Sequence, residues 1–446
     1  MARQAAVALI VVATGVAQWL VGSRSYFALD DFWQLRVAQQ KGLTLHYLIE
    51  PIFQHFGPGD HFIFWVIVRF FPLKFGAALG LMLVFFVGSV LLFQACLDLL
   101  FGRRWVTLTL TFLFASSLFW VPQFDWLASG AHQVPATFFT LAAFYCYLRY
   151  AYDSRRLWIA LSAIAMCAAL LFFIKPLLLL IYLLGLRFLF LGDDGDVRPR
   201  AAVRVLRREA FVWLTYIFFV LAYLAGYFKR YYVPSPGHYT ARQVLDLIQL
   251  SWLRTLVPGT LGFRPVETLD ARGLTLVLVA QALVVALIVA SLIRWRGAWR
   301  AWVFLGVVFL ANIVLSGVPR LGQFGVGVSY ELRYFLDMSW LLPLSVGLAF
   351  LPFRKAEARE VERLPRRSLS FRAPVAATAV VLVALYSAVG WHSANRTLDL
   401  WPGATVDKPY FQHLSVGLDV LERRGGVPNL VDFSVPEDMI GSWIAS

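Results

Sequence analysis

Long apolar runs separated by short polar segments form the main pattern of this chain. A helix needs about 20 apolar residues to cross a hydrocarbon core about 30 Å thick. Eleven runs approach that length, at residues 5–21, 75–101, 105–121, 134–148, 157–174, 176–191, 211–228, 274–293, 301–318, 335–353 and 374–391. The pattern therefore predicts an all-α polytopic membrane protein with about eleven transmembrane helices.

Three of these runs need interpretation. The fifth and sixth are separated only by Lys175 and Pro176. Proline breaks a helix, and a charge at the bilayer centre costs about 3 kcal/mol, so we predict a hairpin with Lys175 at its outer apex. The first run is not followed by a convincing small-residue cleavage site, which favours a membrane span over a signal peptide.

The composition supports a membrane protein. Hydrophobic residues make up 60% of the chain and charged residues only 15%, whereas a soluble domain has about 25% charged residues. The net charge is +14, which in a soluble protein would suggest nucleic acid. In a membrane protein, basic residues collect in cytoplasmic loops. We therefore expect membrane lipids, and no nucleic acid, as partners.

Arginine is concentrated in alternate connections between the runs. If the N-terminus is cytoplasmic, the Arg-rich segments all fall on the cytoplasmic side, as the positive-inside rule requires. These segments are Arg103–Arg104, Arg149 to Arg156, residues 198–208, Arg294 to Arg300 and residues 354–372. The outer face then receives residues 22–74, 122–133, 229–273, 319–334 and the tail after 392, and we look for function there.

The tail predicts a second unit. Residues 409–424 have helical apolar spacing, Gly425 and Gly426 supply a stop, and residues 427–435 alternate like a strand. We expect a transmembrane domain over residues 1–391 and an extracytoplasmic segment over 392–446 that begins an α/β domain. A segment as short as 392–446 rarely forms an independent core. We therefore expect this domain to be incomplete and the chain to be truncated at Ser446.

Two adjacent carboxylates open the outer loop 22–74. Asp31 and Gln34 have the spacing of a capping box for a helix running to Gln40. Asp30 then lacks a structural role, and ionisable groups at a membrane boundary are by default functional candidates. A carboxylate shielded from water can act as general base on a hydroxyl. The sequence leaves two roles open for Asp31, a helix cap and a catalytic group.

The same loop contains a polar turn and an apolar stretch. A Gly-Pro-Gly turn groups His55, Asp60 and His61, with Glu50 a few residues before it. The grouping is compatible with sugar hydrogen bonding, with a divalent cation on Asp60 and His61, or with neither, since the spacing matches no known zinc pattern. Residues 62–71 are too short to span with confidence and predict an interfacial helix.

The acidic pair directly after the first span, the interfacial helices and the His/Gly/Pro turn together resemble the GT-C superfamily of membrane glycosyltransferases. The Asp-Asp-Phe entry is most similar to the actinobacterial polytopic members. The resemblance implies a bacterial cell membrane enzyme with its active site outside. It also implies a polyprenyl-phosphate sugar as donor and a hydroxyl acceptor on an envelope glycan, glycolipid or protein. Asp30, or less directly Asp31, would be the base.

A lipid phosphate requires cations at the membrane surface. Lys175 stands alone at a helix end, and we expect phosphate contact there rather than snorkelling, because lone intramembrane charges usually have partners. Arg333 and Tyr334 resemble the Arg-Tyr signature before a late GT-C span. The same segment fits a second interpretation equally well. In it, Glu331 and Arg333 form an ion pair at the membrane interface, and the tyrosine belongs to the aromatic belt. Asp337, inside the tenth run, needs a partner in either case.

Two further outer segments complete the candidates. Asp125, Trp126 and His132 combine an aromatic face with hydrogen-bonding groups, which suits a sugar, although Trp126 could equally anchor the interface. The pattern near residues 241–256 predicts an amphipathic helix. We interpret this helix as a lid or as a surface that faces lipid. No further cofactor follows from the sequence.

Two other classes of function compete with the enzyme. A transporter or lipid flippase would place ionisable residues near the midplane with access from both sides, whereas here they gather on the outer face. A non-catalytic envelope-assembly protein could share the fold without the activity. The sequence favours transfer with inversion at the outer surface, with Asp30 as base.

Overall fold

The computed structural model describes residues 1–51, 55–191, 203, 206–230, 238–354 and 373–423. The regular elements within these ranges are helices. The prediction of an all-α membrane protein is therefore confirmed. The tail's predicted strand at 427–435 and its glycine stop lie outside the described residues, while its predicted helix is present.

The first half of the chain forms the first outer loop and the interior of the bundle. Its helices are α1 (Ala2–Gly22), α2 (Asp30–Lys41), α3 (Leu45–Leu48), α4 (Pro58–Phe70), α5 (Phe75–Phe101), α6 (Trp105–Ala115), α7 (Val121–Phe124), α8 (Leu127–Asp153), α9 (Arg156–Leu170) and α10 (Leu179–Leu189). Thus α2 to α4 occupy the predicted outer loop, and α4 covers most of the stretch 62–71 predicted as a helix, whose position at the membrane interface stays a prediction.

The second half continues with long apolar helices and shorter segments between them. They are α11 (Ala210–Arg230), α12 (Ala241–Leu250), α13 (Val257–Thr260), α14 (Ala271–Arg294), α15 (Trp299–Asn312), α16 (Leu321–Phe324), α17 (Met338–Phe350), α18 (Ala373–Leu398) and α19 (Lys408–Arg423). The amphipathic helix expected near 241–256 is α12, which begins with a capping box between Thr240 and Gln243.

Six stretches within the described residues are long and apolar enough to cross a membrane. They are Ala2–Gly22, Phe75–Phe101, Trp105–Phe124, Ala210–Arg230, Ala271–Arg294 and Trp299–Tyr330. The other five predicted runs coincide with α8, α9, α10, α17 and α18. Helices therefore form where the apolar runs predicted them, while the count of eleven spans stays a prediction.

The core lies where α5 and α8 pack together, with α9 against α8 and α17 against α6 and α15. Large aromatic side chains fill it. The Trp120 ring meets Phe86 edge-on at 4.9 Å, and Trp340 meets Phe144 at 5.4 Å. All four side chains are fully buried. Buried aromatic pairs of this kind stabilise a fold beyond the area that they bury.

The break at Lys175 and Pro176 is confirmed. Helix α9 ends at Leu170, a 3-10 turn covers Lys175–Leu178, and α10 begins at Leu179. Proline fits the first turn of a helix, where its missing N–H is not needed. The turn places Lys175 at the apex between the two helices.

Close backbone contacts bring the outer segments together. A side chain at Gly130 would collide with the Gln123 carbonyl oxygen, so glycine lets the start of α8 approach α7. Gly59, at the start of α4, donates its N–H to the Leu171 carbonyl at 2.9 Å and lies against the Phe172 ring. The first outer loop therefore docks on α8 and on the connection between α9 and α10.

Candidate functional site

Asp30 begins α2 and is held by a tryptophan from another segment. Its Oδ1 accepts a hydrogen bond of 2.8 Å from the indole Nε1 of Trp126, which immediately precedes α8. Both side chains are partly exposed. The sequence allowed two roles for Trp126, a ring that binds a sugar and an anchor at the membrane interface. In the structure, its indole N–H orients Asp30, the predicted base.

Asp31 has a different environment. Its side chain is fully buried, and its two oxygens accept hydrogen bonds from the backbone nitrogens of Ala28 at 3.0 Å and Ala128 at 2.6 Å. The predicted capping box with Gln34 is wrong: α2 begins at Asp30, two residues before the start at Phe32 that a cap at Asp31 implies, and no side chain caps its N-terminus. Asp31 instead caps α8, because the free N–H groups of a helix N-terminus favour a carboxylate.

The turn before α2 is strained. Leu29 has a φ of 52°, in the left-handed region that non-glycine residues rarely adopt. The bond from the Ala28 N–H to Asp31 Oδ2 closes the backbone around this residue. Asp31 thus holds both α8 and the turn that presents Asp30.

Burial raises the pKa of Asp30 to about 6. The hydrogen bond from Trp126 and the positive charge of Arg333 oppose this rise, because both favour the charged carboxylate. The group is therefore ionised at neutral pH yet basic enough to accept a proton. These are the properties of a general base.

Arg333 lies over the ring of Trp126, the tryptophan that binds Asp30. Its guanidinium carbon is 4.4 Å from the Trp126 ring centroid and 5.1 Å from that of Tyr334. Its Nε lies 3.3 Å from the half-exposed carboxylate of Glu331. The predicted pair of Glu331 with Arg333 is therefore present, and the arginine also faces the Asp30 region, while the role of the Arg-Tyr signature in phosphate binding stays a prediction.

Arg320 is a second cation of this site that the sequence analysis did not single out. Its Nη2 is 3.1 Å from His55 Nε2, and its guanidinium carbon is 4.8 Å from the Tyr334 ring centroid. Arginine can only donate hydrogen bonds, so Nε2 of His55 is the acceptor and the proton of the neutral ring is on Nδ1. Tyr334 is flanked by two guanidinium groups.

His55 is neutral in this setting. Burial, and then the charges of Arg320 and Arg333, together lower its pKa to about 3. Its ring lies parallel to that of His132 at 6.4 Å, and both rings pack against Phe173. The structure therefore brings together His55 and His132, which lie far apart in the sequence.

Lys175 is a buried cation near Tyr334, with only 4% of its surface exposed. Its Nζ donates to the Tyr334 carbonyl oxygen at 2.7 Å and lies 3.9 Å from the Asp337 carboxylate. Asn312 donates to the same carbonyl at 2.8 Å. The partner that Asp337 required is therefore Lys175, and Lys175 shares a neighbour, Tyr334, with Arg333.

Asp60 lies in the first turn of α4 and is buried. Burial, and then the negative charge of Asp30, raise its pKa well above the usual value. Its Oδ1 has no hydrogen-bond partner among the described residues. Asp60 is thus a buried carboxyl group whose neutral form is favoured by burial and by the negative charge of Asp30.

Glu50 and His61 form a separate group. Glu50 pairs with Lys41 at 2.6 Å, and His61 lies against the Tyr47 ring, with Nε2 3.2 Å from the Glu50 carbonyl. Asp125 contributes its backbone carbonyl, which accepts from Ser25 and Trp401, while its side chain is buried. The described residues contain no group of three or more His, Cys, Asp or Glu that could hold a metal ion. A cation on Asp60 and His61 stays a prediction.

Comparison with protein-family models, with curated proteins and with solved structures gives no match for this chain. The arguments about function below therefore rest on the geometry of the site and on the sequence.

Proposed function

We propose that this protein is a glycosyltransferase of the GT-C type that transfers a sugar from a polyprenyl phosphate to a hydroxyl acceptor. The proposal includes eleven spans, a cytoplasmic N-terminus and an active site on the outer face of a bacterial cell membrane. The acceptor is an envelope glycan, a glycolipid or a protein. The donor is drawn from the membrane, so its lipid is also the protein's partner.

The observation that carries the proposal is the pairing of a base with cations around one tryptophan. Asp30 accepts from the Trp126 indole, and Arg333 lies over the face of the same ring. Arg320 reaches the neighbouring Tyr334. Carboxylate and cations come from segments far apart in the chain, and a site for hydroxyl activation beside an anionic leaving group needs both.

The reaction is a direct displacement at the anomeric carbon. The acceptor oxygen forms a bond to this carbon while its proton passes to Asp30. The bond from the anomeric carbon to the phosphate oxygen breaks, and the lipid phosphate leaves with the electron pair as a stable anion. A single base and no second nucleophile give inversion of configuration.

The other residues take supporting roles in this proposal. Arg333 and Arg320 contact the phosphate, and Lys175 fixes Tyr334 between them through its bond to the backbone. Trp126, His55, His132 and Asp60 line the sugar or acceptor region. Glu331 and Asp125 lie at its edge, whereas Glu50 and His61 belong to their separate group with Lys41 and Tyr47.

The test is transfer by purified protein in nanodiscs, with farnesylphosphoryl mannose and glucose as donors and a panel of alkyl glycosides as acceptors. Asp30→Asn keeps the size of the side chain and removes the base, so we expect at least a 100-fold loss of transfer. Asp270→Asn is the matched control, because Asp270 is an exposed N-cap of α14 and Asn caps nearly as well.

Full transfer by a folded Asp30→Asn/Asp31→Asn double variant would overturn the mechanism. In that case the flippase becomes the favoured function. Vesicles containing the protein and a fluorescent polyprenyl-phosphate sugar would then be assayed for movement of the lipid between leaflets.

A further inference from the structure

The segment from α18 to α19 folds back on the loop that carries Asp30. We call residues 395–411 the clamp. Arg24 donates to Asn395 and to Asp399, the latter at 2.9 Å, and Lys408 donates to the Ser23 carbonyl. These bonds tie the clamp to the chain just before the acidic pair.

Aromatic packing continues the contact toward the site. The Phe411 ring stacks on Phe32 at 5.4 Å and lies 5.1 Å from Tyr26. Tyr26 and Phe32 are on either side of Asp30 in the sequence. The clamp therefore grips both sides of the strained turn that begins α2.

Trp401 extends the clamp to the tryptophan that binds Asp30. Its ring centroid is 5.3 Å from that of Trp126. Its indole Nε1 donates to the Asp125 carbonyl at 2.8 Å, and Ser25 donates to the same oxygen at 2.6 Å. Trp401 thus contacts the side chain of Trp126 and the backbone of the residue before it.

Gly403 shows how closely the clamp approaches. A Cβ at this position would lie 2.6 Å from Trp401 Nε1, 2.7 Å from Ser25 Oγ and 3.0 Å from the Tyr26 carbonyl oxygen. Real Cβ atoms do not tolerate contacts under 3.0 Å, so a side chain here must move the clamp or the loop. Only glycine at position 403 allows the clamp and the loop to lie this close together.

We propose that Trp401 is a positioning residue of the active site: it fixes the Trp126 indole so that its N–H points at Asp30. This inference rests on the proposed function for its meaning in catalysis, but the contact itself can be tested without a substrate. The clamp lies after the last predicted span, and Trp401 is 275 residues from Trp126 in the sequence. The C-terminal segment thereby contributes to the chemistry of the first outer loop.

The readout is the protonation of Asp30. The groups that act on it are Trp126 and Arg333, which favour the charged form, and Asp31 and Asp60, which lie nearby as carboxyls. If the indole turns away, the carboxylate loses a charge-assisted hydrogen bond and its pKa rises. A role limited to holding the fold would not change this titration.

The experiment measures labelling of Asp30 by a water-soluble carbodiimide with glycine ethyl ester, followed by mass spectrometry, across pH 4 to 9 in nanodiscs. Carbodiimides react with the protonated carboxyl, so the labelling rate reports its protonation. We expect Trp401→Ala to move the midpoint up by about 0.5 to 1 pH unit, on the scale of a partly lost hydrogen bond. Trp401→Phe keeps the ring and should fall between Ala and the wild type.

Trp391→Phe is the control, since Trp391 is an exposed tryptophan on α18. Gly403→Ala displaces the clamp by another route and is used if Trp401→Ala fails to fold. An unchanged midpoint in folded Trp401→Ala, or in its substitute, overturns the inference. A shifted midpoint together with full transfer by Asp30→Asn would leave the positioning contact intact and overturn the proposed function instead.

Discussion

Asp31 of α2 caps the N-terminus of α8 through Ala128, whose backbone nitrogen lies 2.6 Å from Asp31 Oδ1. The other oxygen of the same carboxylate closes the turn around Leu29. One buried side chain therefore fixes the position of Asp30 relative to Trp126. Its effect on activity is indirect, through the stability of this junction.

Asp31→Asn should lower stability without removing the base. Asn has one carbonyl oxygen, so one of the two backbone N–H groups loses its partner, at a cost of about 1–3 kcal/mol. We expect a lower thermal midpoint in detergent and a transfer rate per folded molecule within about threefold of the wild type. Asp270→Asn, at the exposed N-cap of α14, is the control. An unchanged thermal midpoint contradicts the capping role.

The activity should depend on pH through Asp30. The base works only when ionised, and its pKa is raised to about 6, so kcat/KM should fall as the pH falls through about 6. The measurement is a pH profile of transfer between 4.5 and 9. An acidic limb with its midpoint near 4, the usual range of an exposed Asp, would contradict this assignment.

Trp126→Phe should move that acidic limb to higher pH. Phenylalanine keeps an aromatic face for Arg333 but cannot donate to Asp30. Hydrogen bonds to charged groups contribute about 1.5–3 kcal/mol, which corresponds to a shift of about one to two pH units. Trp391→Phe serves as the control. If the two profiles coincide, the indole bond has no part in setting the basicity of Asp30.

Lys175→Met should destabilise the protein by about 3–5 kcal/mol, because it leaves the Asp337 carboxylate buried without its cation. The double variant Lys175→Met/Asp337→Leu removes both charges and should regain most of the stability. If Lys175 acts only by positioning Tyr334, the stable double variant raises the donor KM modestly, within about tenfold. A loss of donor binding comparable with that of Arg333→Gln would instead assign Lys175 to direct phosphate contact.

Arg320→Gln should raise the donor KM by about tenfold or more, because a guanidinium contact with phosphate is charge-assisted. The effect should weaken when the donor phosphate is replaced by a neutral analogue. Arg242→Gln, at an exposed position on α12, controls for the loss of one positive charge. Equal KM values for the two variants would remove Arg320 from the donor site.

The apolar pattern predicted much of the fold because each helix of a membrane protein satisfies its own backbone, so local sequence determines where helices form. Lys175 and Asp337 were identifiable for a related reason. A charge in an apolar run needs a partner, although the sequence did not reveal that each was the other's partner. The Gly-Pro-Gly segment, predicted as a turn before the helix, instead contains the start of α4 at Pro58.

The missed features depend on contacts between distant parts of the chain. The spacing of Asp31 and Gln34 predicted a local cap, but the donor that Asp31 binds is on α8. Arg320 resembled an ordinary basic residue after a span, and only the fold places it beside His55. Nothing in the local pattern of Trp401 indicates that it reaches Trp126.

The clamp also has a consequence for biogenesis. A ribosome synthesises the chain from its N-terminus, so the Asp30 loop is made long before Trp401. Until Trp401 and Phe411 have been made, Trp126 lacks the aromatic neighbour on its flank, and the turn at Leu29 lacks Phe411. The environment of Asp30 is therefore completed only after α18 has been synthesised, which makes assembly of this site one of the last events in the synthesis of the described chain.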